Sequence, residues 1–172
     1  MKKHFRSGEA KLVASVFSKD PELIMAASRI LERMFGRADF RSPIMDFTHT
    51  EYYNDEMGCG LKRVILSFDK PVRTESAYKT KLRTNALEKR FASNGKRRVN
   101  IDPGYLDMSK LVLFSTKDYT HRISMPRGIF AEVTLFYQDK CYNPWPWTYP
   151  DYRTKEYRDI FESIRNIYKE SA

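Results

Sequence analysis

Tyr119-Thr120-His121-Arg122-Ile123-Ser124-Met125-Pro126-Arg127-Gly128-Ile129-Phe130-Ala131-Glu132-Val133-Thr134-Leu135-Phe136-Tyr137 reads as two strands joined by a tight turn. Aromatic and β-branched residues fill both arms, and Pro126 to Gly128 supplies the turn chemistry. Further such runs lie close by, at 108–116, 119–125, 128–137 and 141–148, with Gln138-Asp139-Lys140 as another short polar break. Four strands spaced this tightly leave no room for helical crossovers, so they predict an antiparallel meander. With Met125 and Gly128 as turn ends, His121 faces Glu132. Facing side chains on one side of a sheet have Cβ atoms roughly 4.5 to 5.5 Å apart, close enough for a carboxylate to orient an imidazole as a general base.

Upstream the pattern changes. Residues 11–17, Lys-Leu-Val-Ala-Ser-Val-Phe, form a buried strand, and Asp20-Pro21-Glu22 is a helix start: an N-cap, a proline at the first helical position and an acid for the positive helix end. Leu23, Ala27, Ile30, Leu31 and Met34 recur at spacings of three and four, and Gly36 closes that helix. A short strand at 43–48 and a longer one at 61–69, ended by Pro71, precede a weakly amphipathic helix at 75–92. A strand at 97–102 then runs to a turn at Asp102-Pro103-Gly104. The last helix, 154–169, carries Tyr157, Ile160, Phe161, Ile164, Ile167 and Tyr168 on one face. The order β-α-β-β-α-β-β-β-β-α over residues 1–172 describes one α+β domain whose first two-thirds suit a ferredoxin-like unit.

Composition sets the class. At 172 residues with 41% hydrophobic and 31% charged residues, the chain can bury a core, and disorder is excluded. No apolar run reaches the 18 to 20 residues or so of a membrane span, and Met1 to Arg6 leads into Gly8-Glu9 without an apolar signal region, so a cytoplasmic protein is expected. Cys59 and Cys141 stand far apart without metal-ligand spacing and read as half-buried free thiols. Of the formal charge of +9, most sits at 79–98, where eight Lys and Arg meet Glu88 alone; Asp46 to Glu56 is purely acidic. A two-signed surface follows.

Several groupings could carry chemistry. Arg98, Asn100 and Asp102 share one strand face and could clamp a phosphate or order a water. Lys81, Thr84, Asn85 and Glu88 share a helix face of the kind usually left to solvent. The segment Tyr142 to Arg153 holds both tryptophans, Trp145 and Trp147, among prolines, and reads either as an arm that buries its rings against the sheet or as an aromatic platform; Tyr52 and Tyr53 add further rings. The carboxylates near His49 match no metal-binding loop, and no metal is expected. Glycine-rich phosphate loops, zinc-protease helices and serine-hydrolase elbows are absent, and Ser115-Thr116-Lys117-Asp118 lacks the spacer of a guanine-reading loop. No motif identifies a cofactor.

Taken together, Thr50-Glu51-Tyr52-Tyr53, Lys81-x-x-Thr84-Asn85-x-x-Glu88, Arg97 to Leu106, Ser115 to Asp118, His121-Arg122-Ile123, Ala131 to Leu135 and Trp147 to Tyr152 resemble the bacterial domain of unknown function 4416 family over nearly the whole chain. The resemblance implies a stand-alone bacterial domain and brings no established activity or ligand. The residues themselves point to a small phosphorylated or anionic ligand, with acid–base chemistry by His121, Glu132 and Asp102 and binding by Arg98, Asn100, Lys117, Tyr52 and Trp147. Two alternatives stay open: an RNA-binding module using Lys79, Arg83, Arg90 and Arg97, and a non-catalytic interaction or scaffold protein.

Overall fold

The structure is a computed structural model that describes residues 8–171; the Met1 to Arg6 stretch read above lies outside them. The elements are β1 (Glu9–Ser18), α1 (Pro21–Phe35), β2 (Ala38–Arg41), β3 (Met45–Asp46), α2 (Asn54–Met57), β4 (Lys62–Arg73), α3 (Lys79–Phe91), β5 (Asn100–Leu106), β6 (Lys110–Ser115), β7 (Ile123–Met125), β8 (Ile129–Gln138), β9 (Cys141–Pro144) and α4 (Lys155–Ser171). All nine strands join one antiparallel sheet in the order β2-β4-β1-β5-β6-β8-β7, with β3 on β4 and β9 on β8. Its β2-β4-β1-β5 portion has the split-βαβ order.

Strand alternation sends side chains to two cores. On one face Leu12, Ala14, Val16, Val64, Leu66, Phe68 and Ile101 pack under α1 and α3, through Ile24, Ala27, Leu31 and Leu87. On the other, Val13, Ile65, Leu106, Leu111 and Leu135 meet Tyr157, Phe161, Ile164 and Tyr168 of α4. The expected N-cap is present: Asp20 accepts the Glu22 amide at 2.9 Å. Among the described residues, no helix is long and apolar enough to cross a membrane.

Five local expectations are corrected. Pro71 does not end β4, which runs on to Arg73. It lies at the β1–β4 register shift and beyond the end of β2, where no partner on the second side demands an amide. Nor does Asp102-Pro103-Gly104 turn the chain; β5 passes straight through it. β6 pairs with β5 only from Gly104 onward, so the side toward which Pro103 would donate is open there. Gly104 serves close approach instead of a turn, because a Cβ there would meet the Val112 carbonyl oxygen at 2.1 Å.

The third correction concerns register. The β7–β8 connection has three residues, Pro126 to Gly128, with Arg127 (φ 63°) and Gly128 (φ 71°) left-handed, so Met125 pairs with Ile129 and the whole register moves by one. The strands are antiparallel as expected, but β8 lies between β6 and β7, so β7 and β9 share one edge of β8. Fourth, the Lys81–Glu88 face of α3 is buried, not solvated. Along the stretch of β5 that pairs with β1 but has no β6 on its other side, Glu88 Oε1 accepts the Ile101 amide at 2.7 Å, and Lys81 Nζ donates to the Ile101 carbonyl at 2.9 Å. Two helix side chains thus replace a missing strand. Fifth, both cysteines are exposed.

Candidate functional site

Because β5 and β6 pair only over Gly104–Leu106 with Leu111–Leu113, the sheet splits at the other end of these strands. Asn100 and Asp102 line one lip of the split, and Ser115, Thr116 and Lys117 the other. Lys81 reaches it from α3. Segment 47–53 and the arm 149–152 close over this split on the α4 side and leave a cavity of about 280 Å³.

Its walls combine cations, carboxylates and rings. Arg63, Lys81, Arg97, Lys117 and Arg122 line it with Asp102, Glu132 and Asp151, beside Phe47, Tyr52, Tyr53, Phe114, Tyr119, Tyr149 and Tyr152. Most of these charges are already held. Arg97 makes a two-pronged pair with Glu56, Nε to Oε1 at 2.9 Å and Nη2 to Oε2 at 2.7 Å, while its Nη1 donates to Asn100 Oδ1 at 2.8 Å. Asn100 Nδ2 in turn donates to Asp102 Oδ2 at 2.8 Å, and Lys81 Nζ stands 3.2 Å from Asp102 Oδ1. The result is a relay from Glu56 to Lys81 that fixes the Asp102 carboxylate.

Arg63 is different. Its side chain is 4% exposed, its guanidinium lies 3.8 Å from the Phe47 ring centroid, and its Nη1 donates to Asp151 and, at 3.3 Å, to the Tyr157 hydroxyl. Neither Nε nor Nη2 has a hydrogen-bond partner among the described residues, and the same holds for the hydroxyls of Tyr53 and Tyr152. Burial pushes both phenols well above their ordinary range; the carboxylate of Asp102 adds to this at Tyr53, and Arg97 and Arg63 oppose it.

His121 and Glu132 do meet, with Nε2 and Oε2 2.9 Å apart, although Arg122 and not His121 occupies the facing position. The contact forms because β7 begins only at Ile123, and a turn joining the Arg122 amide to the Tyr119 carbonyl brings the imidazole back over the carboxylate. Arg122 Nε donates to the same oxygen at 2.9 Å, its Nη1 to Ser115 Oγ and the Lys117 carbonyl, and its Nη2 to the Tyr149 hydroxyl at 2.7 Å. Arg122 ties three segments of the wall together, and sequence reasoning passed over it. The signal was available in the spacing, since a three-residue loop places Arg122 across from Glu132.

Of the remaining candidates, Lys117 and Tyr52 sit at the mouth, where the ammonium hydrogen-bonds the Tyr52 hydroxyl and lies 3.8 Å from its ring centroid. Trp147 is 40% exposed and stacks on His121 at 5.4 Å and on Trp145 at 5.1 Å, behind the cavity wall and outside its lining. Arg98 is not in the site. It precedes the regular strand and points to Asp20, and Arg97 takes the place expected for it. Lys79, Arg83 and Arg90 lie exposed along α3, on the opposite sheet face. Arg83 there reaches the Met34 carbonyl, and Arg97 is apart from them in the cavity. Among the described residues no cluster of three or more His, Cys, Asp or Glu could hold a metal.

Fold and site define a mixed α+β protein with a preformed, aromatic-walled polar pocket at a split in its sheet. The chain belongs to the family described as Domain of unknown function (DUF4416), whose model matches residues 8–168. No curated protein and no solved structure matches the chain.

Proposed function

We propose that the split-sheet cavity binds a small phosphorylated or otherwise anionic ligand. The observation that carries this reading is Arg63: a buried guanidinium, stacked on Phe47 and anchored through one amino group, with its other amino group, Nη2, unpartnered at a cavity lined by five cations and three carboxylates. Arginine held this way is oriented in advance for an oxyanion and loses little freedom on binding. Lys117, held against Tyr52 at the mouth, supplies a second positive charge. Asp102 and the Tyr53 hydroxyl would meet such a ligand, the carboxylate as a hydrogen-bond acceptor and the phenol, kept protonated by its burial, as a donor at neutral pH.

Calorimetric titration of wild type with inorganic phosphate, pyrophosphate and citrate tests the reading. Binding that weakens with salt and falls about five- to tenfold in Lys117→Ala is expected; absence of any heat or any rise in melting temperature with all three anions overturns it. The RNA alternative has its own support in the exposed cations Lys79, Arg83 and Arg90 on α3. Single-stranded RNA binding whose salt slope shrinks in the triple alanine variant would favour it.

A further inference from the structure

The cavity contains groups that an anion alone would not want. Asp102 is held on its two oxygens by Lys81 and Asn100, yet its side chain remains 30% exposed and lines the cavity, with lone pairs left over. Such a carboxylate repels a bare phosphate. It becomes favourable only when the ligand brings hydrogen-bond donors of its own. The unpartnered hydroxyls of Tyr53 and Tyr152 can both donate and accept.

The rim adds a third requirement. Among the described residues six large hydrophobic side chains are exposed, and three of them, Tyr52, Tyr119 and Tyr149, line this one mouth. Rings gathered in this way offer faces to a ligand with an apolar side. A cavity of about 280 Å³ suits a small molecule.

We infer that the ligand is a polyhydroxylated anion, a sugar or polyol phosphate, with its anionic group on Arg63 and Lys117, its hydroxyls on Asp102 and Tyr53, and its carbon face against the rim tyrosines. This rests on the anionic reading above and specifies the rest of the molecule.

Calorimetry with wild type would compare inorganic phosphate, glycerol 3-phosphate, ribose 5-phosphate, glucose and phenyl phosphate. Ribose 5-phosphate should bind at least tenfold tighter than phosphate, and phenyl phosphate, which offers a ring to the rim but no hydroxyls to Asp102 and Tyr53, should fall between the two. Asp102→Asn, which keeps the shape and removes the charge, should cost ribose 5-phosphate about tenfold while leaving phosphate unchanged or tighter. Tyr53→Phe should weaken ribose 5-phosphate three- to tenfold with phosphate unmoved, and its melting curve reports that it folds. If phosphate binds and neither sugar nor polyol phosphate gains on it, or phenyl phosphate matches ribose 5-phosphate, this inference falls and the anionic reading stands. If none of the anions binds, both fall.

Discussion

Arg122 and His121 converge on one atom, Glu132 Oε2, each at 2.9 Å. The side chains of Arg122 and Glu132 are 2% and 4% exposed, so this is a buried ion pair with the imidazole as a third member. Replacing Arg122 alone leaves the buried Glu132 carboxylate with only His121 and Thr134 beside it, whereas removing both charges leaves no buried ion and only the neutral groups of Ser115, Lys117 and Tyr149 to find new partners. Arg122→Met is therefore expected to lose about 3 to 5 kcal/mol, and the double variant Arg122→Met/Glu132→Met to recover most of that loss. Urea denaturation of the two variants and wild type checks it; equal losses in both would show that the pair contributes by packing.

The tryptophans separate by exposure. Trp145 is half-buried, with its ring 4.4 Å from Phe136 and 5.1 Å from Trp147. Trp147, 40% exposed, does not fit the reading in which the arm buries its rings against the sheet; it covers His121 and donates to the Val133 carbonyl at 3.3 Å. Trp147→Ala should cost about 1 to 2 kcal/mol and Trp145→Ala more, about 2 to 4 kcal/mol. Thermal unfolding in which Trp147→Ala is the more damaging would reverse this assignment.

Two carboxylates should tilt the pH profile in opposite senses. Hydrogen bonds from Arg97 hold Glu56 below the usual carboxylate range, so its contribution is present above the unfolded value near 4.5 and is lost as pH falls through the lower folded value. Burial raises Glu88, with Lys81 and the Ile101 amide opposing, so acid favours its folded form and stability declines as pH climbs from about 4.5 through the folded value. Glu56→Gln should flatten the loss on the acid side, and Glu88→Gln, which keeps an acceptor for the Ile101 amide, should flatten the decline toward neutrality. Melting temperatures from pH 3 to 8 read both; a Glu88→Gln profile parallel to wild type would contradict the second.

Gly104 and Gly128 make a paired test of why glycine is present. A methyl group at Gly104 would collide with the backbone oxygen of Val112, and β5 and β6 must part for it to fit. At Gly128 nothing lies within 4 Å, and only the φ of +71° resists a side chain. Gly128→Ala should cost about 1 to 2 kcal/mol. Gly104→Ala should cost clearly more and disturb the β5–β6 pairing, which amide hydrogen exchange at Leu106 and Leu111 would register.

The sequence by itself determined the features that depend on neighbours along the chain. Proline and an N-cap aspartate start α1, apolar spacing aims α1 and α4 at a sheet, and close turn signals make the second half antiparallel, because each of these is set within a few residues. Local reading failed where a residue answers to a distant strand. Pro103 and Gly104 look like a turn in isolation, and only the late start of β6 beside β5 makes them strand residues. Lys81 and Glu88 look solvated until the side of β5 from which β6 has parted offers them an amide and a carbonyl. A two-residue turn would set His121 opposite Glu132; the three-residue loop, with Arg127 and Gly128 left-handed, sets Arg122 there instead, and the His121–Glu132 contact forms through the turn from Tyr119 to Arg122. Arg63 and Tyr152 lie 89 positions apart, and no spacing rule links them. Tertiary structure alone brings them together, because closing two arms over a split sheet buries their rings while leaving their polar ends in one cavity.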